Sequence, residues 1–293
     1  MRIRKLLVSS CLLLLAISAN AQRPEYQKEV IDSLILSDSF TLVISSVTDP
    51  RSAQTANQMM IYRDGNPSKM TMSKTITVYD FNKGKKDSKP RYTKDINNDG
   101  LLEIIVNGHT GVGTCCNHLN IQSLAKNAVL DVGQIDMRDV NDFLLKDLDN
   151  DSIPEVLYED SHYFGWKTPI KDSPKPMMIW KWHNGEYKLA NFSYPDYYLK
   201  KVTEKRLNNL AKAIKEWANT GYNPNDDYLK YPPSDLWGVM LDYTYAGEEV
   251  KADSVFQKYW PESVPGKDEF YTEFWDKVRQ MPYWEFILGS KLE

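Results

Sequence analysis

Two short stretches place oxygen-bearing side chains at alternate positions, 52 residues apart. In the first, Asp95, Asn97, Asp99 and Glu103 stand at relative positions 1, 3, 5 and 9. In the second, Asp147, Asp149, Asp151 and Glu155 stand at the same four positions. Each runs into an apolar, strand-like segment, Ile104-Ile105-Val106 and Val156-Leu157-Tyr158. A hard cation such as calcium takes about six to eight oxygens at roughly 2.3–2.6 Å, and a tight loop of alternating carboxylates supplies several of them locally. The same residues also suit turns capped by their own side chains, with no ion. The copies differ at one point of backbone chemistry. The first has Gly100 where the second has Ser152, with Pro154 two residues on, and a positive φ costs a serine energy that it does not cost a glycine.

Other groups that could do chemistry are sparse. His109, Cys115, Cys116 and His118 fall within ten residues, but adjacent cysteines diverge on a strand and the spacing fits no familiar zinc module. The segment reads instead as a Gly-rich turn entering a strand. The two cysteines can close a ring between neighbours, pair with another chain, or stay as thiols. No Gly-x-Ser-x-Gly elbow, His-Glu-x-x-His helix or phosphate-cradling loop occurs. His162 and His183 lie among aromatic residues and suit packing or surface roles. Carboxylate pairs for glycoside hydrolysis can be drawn from 40 acidic residues without any one pair standing out. Enzymatic activity is therefore left open, with the weight against it. The aromatic segments Tyr163-Phe164-Gly165-Trp166 and Trp180-Lys181-Trp182 suit either stacking on a sugar or partner, or filling a core.

These groups need elements to position them. Residues 1–21 read as a signal peptide: Arg2, Arg4 and Lys5, an apolar run from Leu6 to Ser18, then Ala19-Asn20-Ala21. The run is shorter than the roughly 20 residues a membrane span needs. Most of it follows Cys11, which argues against a lipid anchor there. Without it, 33 basic face 40 acidic side chains, an excess that disfavours nucleic acid and anionic membrane surfaces as partners.

Residues 22–197 carry β signals. Strands are expected at Phe40–Val47, Gln58–Tyr62, Lys74–Phe81, Leu102–Asn107, His118–Gln122, Glu155–Tyr158 and Met178–Trp182, with turns at Asp64-Gly65 and Asn184-Gly185. Over 198–293 the apolar period lengthens to that of helices. One is expected from Val202 to Gly221, one capped by Ser234 and stopped by Gly247, one from Glu248 to Tyr259, and one from Lys267 to Gln280. The fold class is α+β, with an N-terminal β domain and a C-terminal helical bundle of hairpins.

Asp-x-Asn-x-Asp-Gly-x-x-Glu followed by Ile-Ile-Val resembles the calcium loops of integrin-type FG-GAP and VCBS repeats. There the loop joins two strands of a β-propeller blade, unlike the helix-flanked EF-hand with its Glu at position 12. The resemblance covers about residues 74–190. It implies calcium held by Asp95, Asn97, Asp99, the Leu101 carbonyl and Glu103, and by Asp147, Asp149, Asp151, the Ile153 carbonyl and Glu155. Ser152 and Pro154 depart from the pattern and weaken the second set. The β segment is too short to close a propeller, so an open or incomplete set of blade-like sheets is expected. The resulting expectation is an exported bacterial protein, periplasmic or at the cell surface, stabilised by calcium and binding a protein or glycan. The rivals are a secreted carboxylate-dependent glycan hydrolase and a structural module of an envelope assembly.

Overall fold

The computed structural model describes residues 26–85, 88–111, 116–281 and 284. The expected signal peptide lies outside them. Among the described residues twelve strands form three four-stranded antiparallel sheets, each a simple meander in chain order. They are β1 (Gln27–Ile35), β2 (Phe40–Thr48), β3 (Thr55–Arg63) and β4 (Asn66–Ser73); β5 (Thr75–Val78), β6 (Leu102–His109), β7 (Asn117–Ala125) and β8 (Ala128–Arg138); and β9 (Leu144–Lys146), β10 (Glu155–Glu159), β11 (Met177–His183) and β12 (Glu186–Leu189). Five α-helices follow among these residues: α1 (Pro195–Leu199), α2 (Glu204–Glu216), α3 (Asp235–Tyr245), α4 (Glu249–Tyr259) and α5 (Lys267–Arg279). The α+β class with segregated parts is what the sequence predicts. Among the described residues no closed barrel forms.

The change from strand to helix falls at Pro195, whereas the compact units divide after Ile76, within β5. The first unit is built on the β1–β4 meander. Along β2 the side chains of Phe40, Leu42 and Ile44 are buried in alternation, as a period of two requires. Asp64 and Gly65 turn the β3–β4 hairpin with φ of 48° and 79°, the left-handed pair of a two-residue hairpin loop.

In the second unit one core joins the two later sheets to the helices. Ile105, Leu119, Ile135, Val156, Leu157 and Ile179 from strands pack in one cluster with Leu210, Trp237, Met240, Phe256, Phe270 and Phe274 from helices. β8 and β12 lie against each other. Gly133 of β8 makes this approach possible, because a Cβ there would stand 3.3 Å from both Tyr187 Cβ and Ile121 Cδ1.

Several expectations shift in detail. The strand expected at Lys74–Phe81 is only Thr75–Val78. Ser234 precedes α3, but its backbone is already helical and its side chain makes no capping bond. The cap that does form is Thr203, whose Oγ1 accepts from Arg206 N at 3.2 Å at the start of α2. Tyr163 and Trp180 are buried in the common core, with Trp166 and Trp182 packed against it, so those two aromatic segments fill the interior. Cys116 is disulfide-bonded with φ of 89°, so it is not an unpaired thiol; Cys11 and Cys115 lie outside the described residues. Among the described residues no helix is long and apolar enough to cross a membrane.

Candidate metal-binding turns

The two acidic stretches occupy equivalent places in consecutive sheets, before β6 and before β10. Four of their hydrogen bonds repeat atom for atom. The first Asp accepts from the residue five on: Gly100 N to Asp95 Oδ2 and Ser152 N to Asp147 Oδ2, both 3.0 Å. The third position accepts from the fifth: Asp99 N to Asn97 Oδ1 at 3.2 Å and Asp151 N to Asp149 Oδ1 at 3.3 Å. The fifth accepts from Leu101 N and Ile153 N, both at 2.8 Å. The Glu reaches back to the second: Ile96 N to Glu103 Oε2 at 2.9 Å and Leu148 N to Glu155 Oε2 at 2.7 Å. Each turn thus folds on Asx-type bonds of its own side chains, which bend the backbone.

The backbone explains the glycine. Asn98 and Gly100 have φ of 58° and 85°, and Asn150 and Ser152 have 64° and 69°. Ser152 therefore adopts the left-handed conformation that the sequence comparison flags as costly, at about 1 kcal/mol.

Burial separates the Glu from the rest of each set. Glu103 and Glu155 are 0% and 1% exposed. Burial first, with the nearby Asp99 and Asp95 adding to it, pushes Glu103 up to about 7 against the bonds from Ser123 and Ile96. Glu155 is raised as well, by burial first, with Tyr194 and Leu148 opposing. In the first turn Asp95 Oδ1 is buried and accepts no hydrogen bond. An orphaned buried carboxylate oxygen and a buried glutamate leave the first turn short of positive charge, although its carboxylates do not converge as those of the second turn do.

The second turn is the tighter cluster. Asp147, Asp149 and Asp151 can each bring an oxygen within 4.8 Å of the others, close enough to hold a metal ion. It also contains side chains that sequence reasoning missed. Lys181 of β11 forms ion pairs with Asp149 and with Asp151, the latter at 3.0 Å, and lies 3.9 Å from Glu155 Oε1. Tyr194 donates to Glu155 Oε1 at 2.6 Å and lies 3.1 Å from Asp149 Oδ2. In the first turn the corresponding neighbour is Ser123, which donates to Glu103 Oε1 at 2.5 Å. Sequence signals for these partners were absent, because they come from neighbouring strands and from the connection after β12.

His109 and His118 do not gather with the acidic turns into a cluster among the described residues; His109 Nδ1 accepts from Gly111 N at 3.0 Å. A separate concavity of about 280 Å³ lies among the helices, lined by Tyr222, Tyr231, Trp260, Phe270, Glu269 and Glu273. No family model, curated protein or solved structure matches this chain.

Proposed function

We propose that this chain is an exported binding protein of the periplasm or cell surface whose β sheets are stabilised by calcium at an Asp-rich turn. The observation that carries the reading is the first turn, where a fully buried Glu103 and an orphaned Asp95 oxygen await a positive charge. The ligands there would be Asp95, Asn97, Asp99, the Leu101 carbonyl and Glu103. The ion would supply charge balance and fix the approach to β6. Chemistry on a substrate is no part of this reading. The FG-GAP/VCBS-like character of the repeated turn supports it, since two sheets repeat the same turn in the same place.

The ligand surface in this reading is the helical concavity, where Tyr222, Tyr231 and the buried rings of Trp260 and Phe270 adjoin Glu269 and a Glu273 paired with Lys167. Polar groups on an apolar floor suit the hydroxyl groups of a glycan. Thermal melting in chelator and then in excess calcium tests the metal half. At a hundredfold excess over Kd, calcium should add about 2.7 kcal/mol, a rise of about 5–10 °C for a unit of this size. An unchanged midpoint rejects it. Tryptophan fluorescence with soluble oligosaccharides tests the second half; Trp260 emission unaffected by every glycan class rejects a glycan in that groove.

A further inference from the structure

The two turns share one backbone but not one occupant. At relative position 3 the first has Asn97 and the second Asp149. On the strand next to the Glu, the first has Ser123, paired with Glu103, while Val156 pairs with Trp180 and so brings Lys181 beside Glu155. The two differences go together. The first turn holds three carboxylates, Asp95, Asp99 and Glu103, and among the described residues no ion pair to them is formed. The second holds four, and a lysine reaches three of them.

We propose that the Lys181 ammonium is the resident cation of the second turn, so that the native chain takes a divalent ion at the first turn only. The first-turn clause rests on the calcium reading above; the lysine clause does not.

Geometry decides against two cations in the second turn. Lys181 bonds the side chains at positions 3 and 5 and approaches that at position 9, which are oxygens a metal would need. The Tyr194 hydroxyl lies on the same Asp149 Oδ2 and Glu155 Oε1. In the first turn the corresponding contact is weaker: the neutral Asn97 amide donates to Asp99 Oδ2 at 3.0 Å, and an amide can rotate to present its oxygen instead. Lys181 is tethered through β11 and 24% exposed, so its local concentration is fixed while that of a free ion is not. Burial lowers its affinity for a proton, but the bonds to Asp149 and Asp151 outweigh that and hold it charged. The cost of Ser152 in a left-handed conformation is then offset by an ion pair built into the chain.

Equilibrium dialysis of the full chain against calcium chloride counts the sites. The expected result is one ion for the native chain and one more for Lys181→Ser, which installs the side chain found at the corresponding place in the first sheet. Two ions in the native chain, or no additional ion in the variant, overturns the assignment. No ion in the native chain but one in Lys181→Ser rejects the calcium reading of the first turn and keeps the lysine assignment. Should Lys181→Ser fail to fold, the double variant Lys181→Ser/Asp149→Asn gives the second turn the same side chains at positions 1, 3, 5 and 9, and the same carboxylate count, as the first. An extra ion there supports the proposal, and none overturns it.

Discussion

Ser152 and Gly100 carry the same backbone conformation with different side chains, so exchanging them isolates one physical term. Ser152→Gly should raise stability by about 1 kcal/mol in urea denaturation, and Gly100→Ala should lower it by a similar amount. Space does not complicate the second change, since a Cβ at Gly100 meets nothing within 4 Å. Glu103 gives a second test. In chelator its raised pKa, about 7 in the fold against about 4.3 unfolded, means that the folded state binds more protons between those values. The stability of the metal-free protein should therefore fall as pH rises from about 4.5 to 7 on account of this group. Glu103→Gln should remove that slope and, with it, the calcium-induced rise in melting temperature. A Gln variant that still gains stability from calcium would separate Glu103 from the ion.

Between elements, Arg206 of α2 forms a polar link in the helical part. It donates to Asp235 Oδ1 through Nε and NH2, at 2.8 and 2.6 Å, and to Asp242 Oδ2 through NH1 at 2.6 Å, tying α2 to α3. Gly238 leaves room for it, since a Cβ there would stand 3.2 Å from Arg206 NH2. Asp242 is buried, and burial raises its pKa against the pull of Arg206 and Lys201. Replacing Arg206 by Met would strand that carboxylate with only Lys201, 3.8 Å away. A loss of about 2 kcal/mol in chemical denaturation is expected, below the usual cost of breaking a buried pair because Arg206 is partly solvated. Asp242→Asn in the Arg206→Met background should recover part of the loss, because it removes the charge left unpaired.

Across the second unit, His162 links β8 to α5. Its Nε2 donates to the Lys277 carbonyl at 2.8 Å on α5, which leaves Nδ1 to accept from Arg138 NH1 at 3.2 Å at the end of β8. The bond from Arg138 requires the neutral ring, since protonation at Nδ1 would remove its acceptor. Burial lowers its pKa, with the Lys277 carbonyl opposing and the Lys277 and Arg138 charges adding to the shift. The unfolded chain thus takes up the proton first, so this contribution is complete above about pH 6.5 and is lost as pH falls below it. Urea midpoints at pH 7.5 and 5.5 should show a larger drop for the native chain than for His162→Gln. An equal drop would remove His162 from the acid response. This slope opposes that of Glu103, and the two single variants separate them.

How much of this was legible beforehand follows from which interactions are local. Asp64-Gly65 and Asn184-Gly185 announce their hairpins because the left-handed φ is a property of the turn residues themselves. The helices from Glu204 to Arg279 show in their apolar period, and the two acidic turns in their spacing, because Asx-type bonds run only a few residues along the chain. β1, β4, β8 and β9 escaped for a matching reason. β1 is exposed along nearly its whole length, so burial imposes no alternation on it, and β8 breaks its pattern with Gly133 and acidic residues. What only the tertiary structure decided is which atoms complete each turn. Antiparallel register sets Ser123 against Glu103 and Lys181 beside Glu155, and Tyr194 arrives from beyond β12. Register depends on pairings between strands far apart in sequence, so two turns with the same spelling acquired different surroundings: one short of a positive charge, the other already holding one.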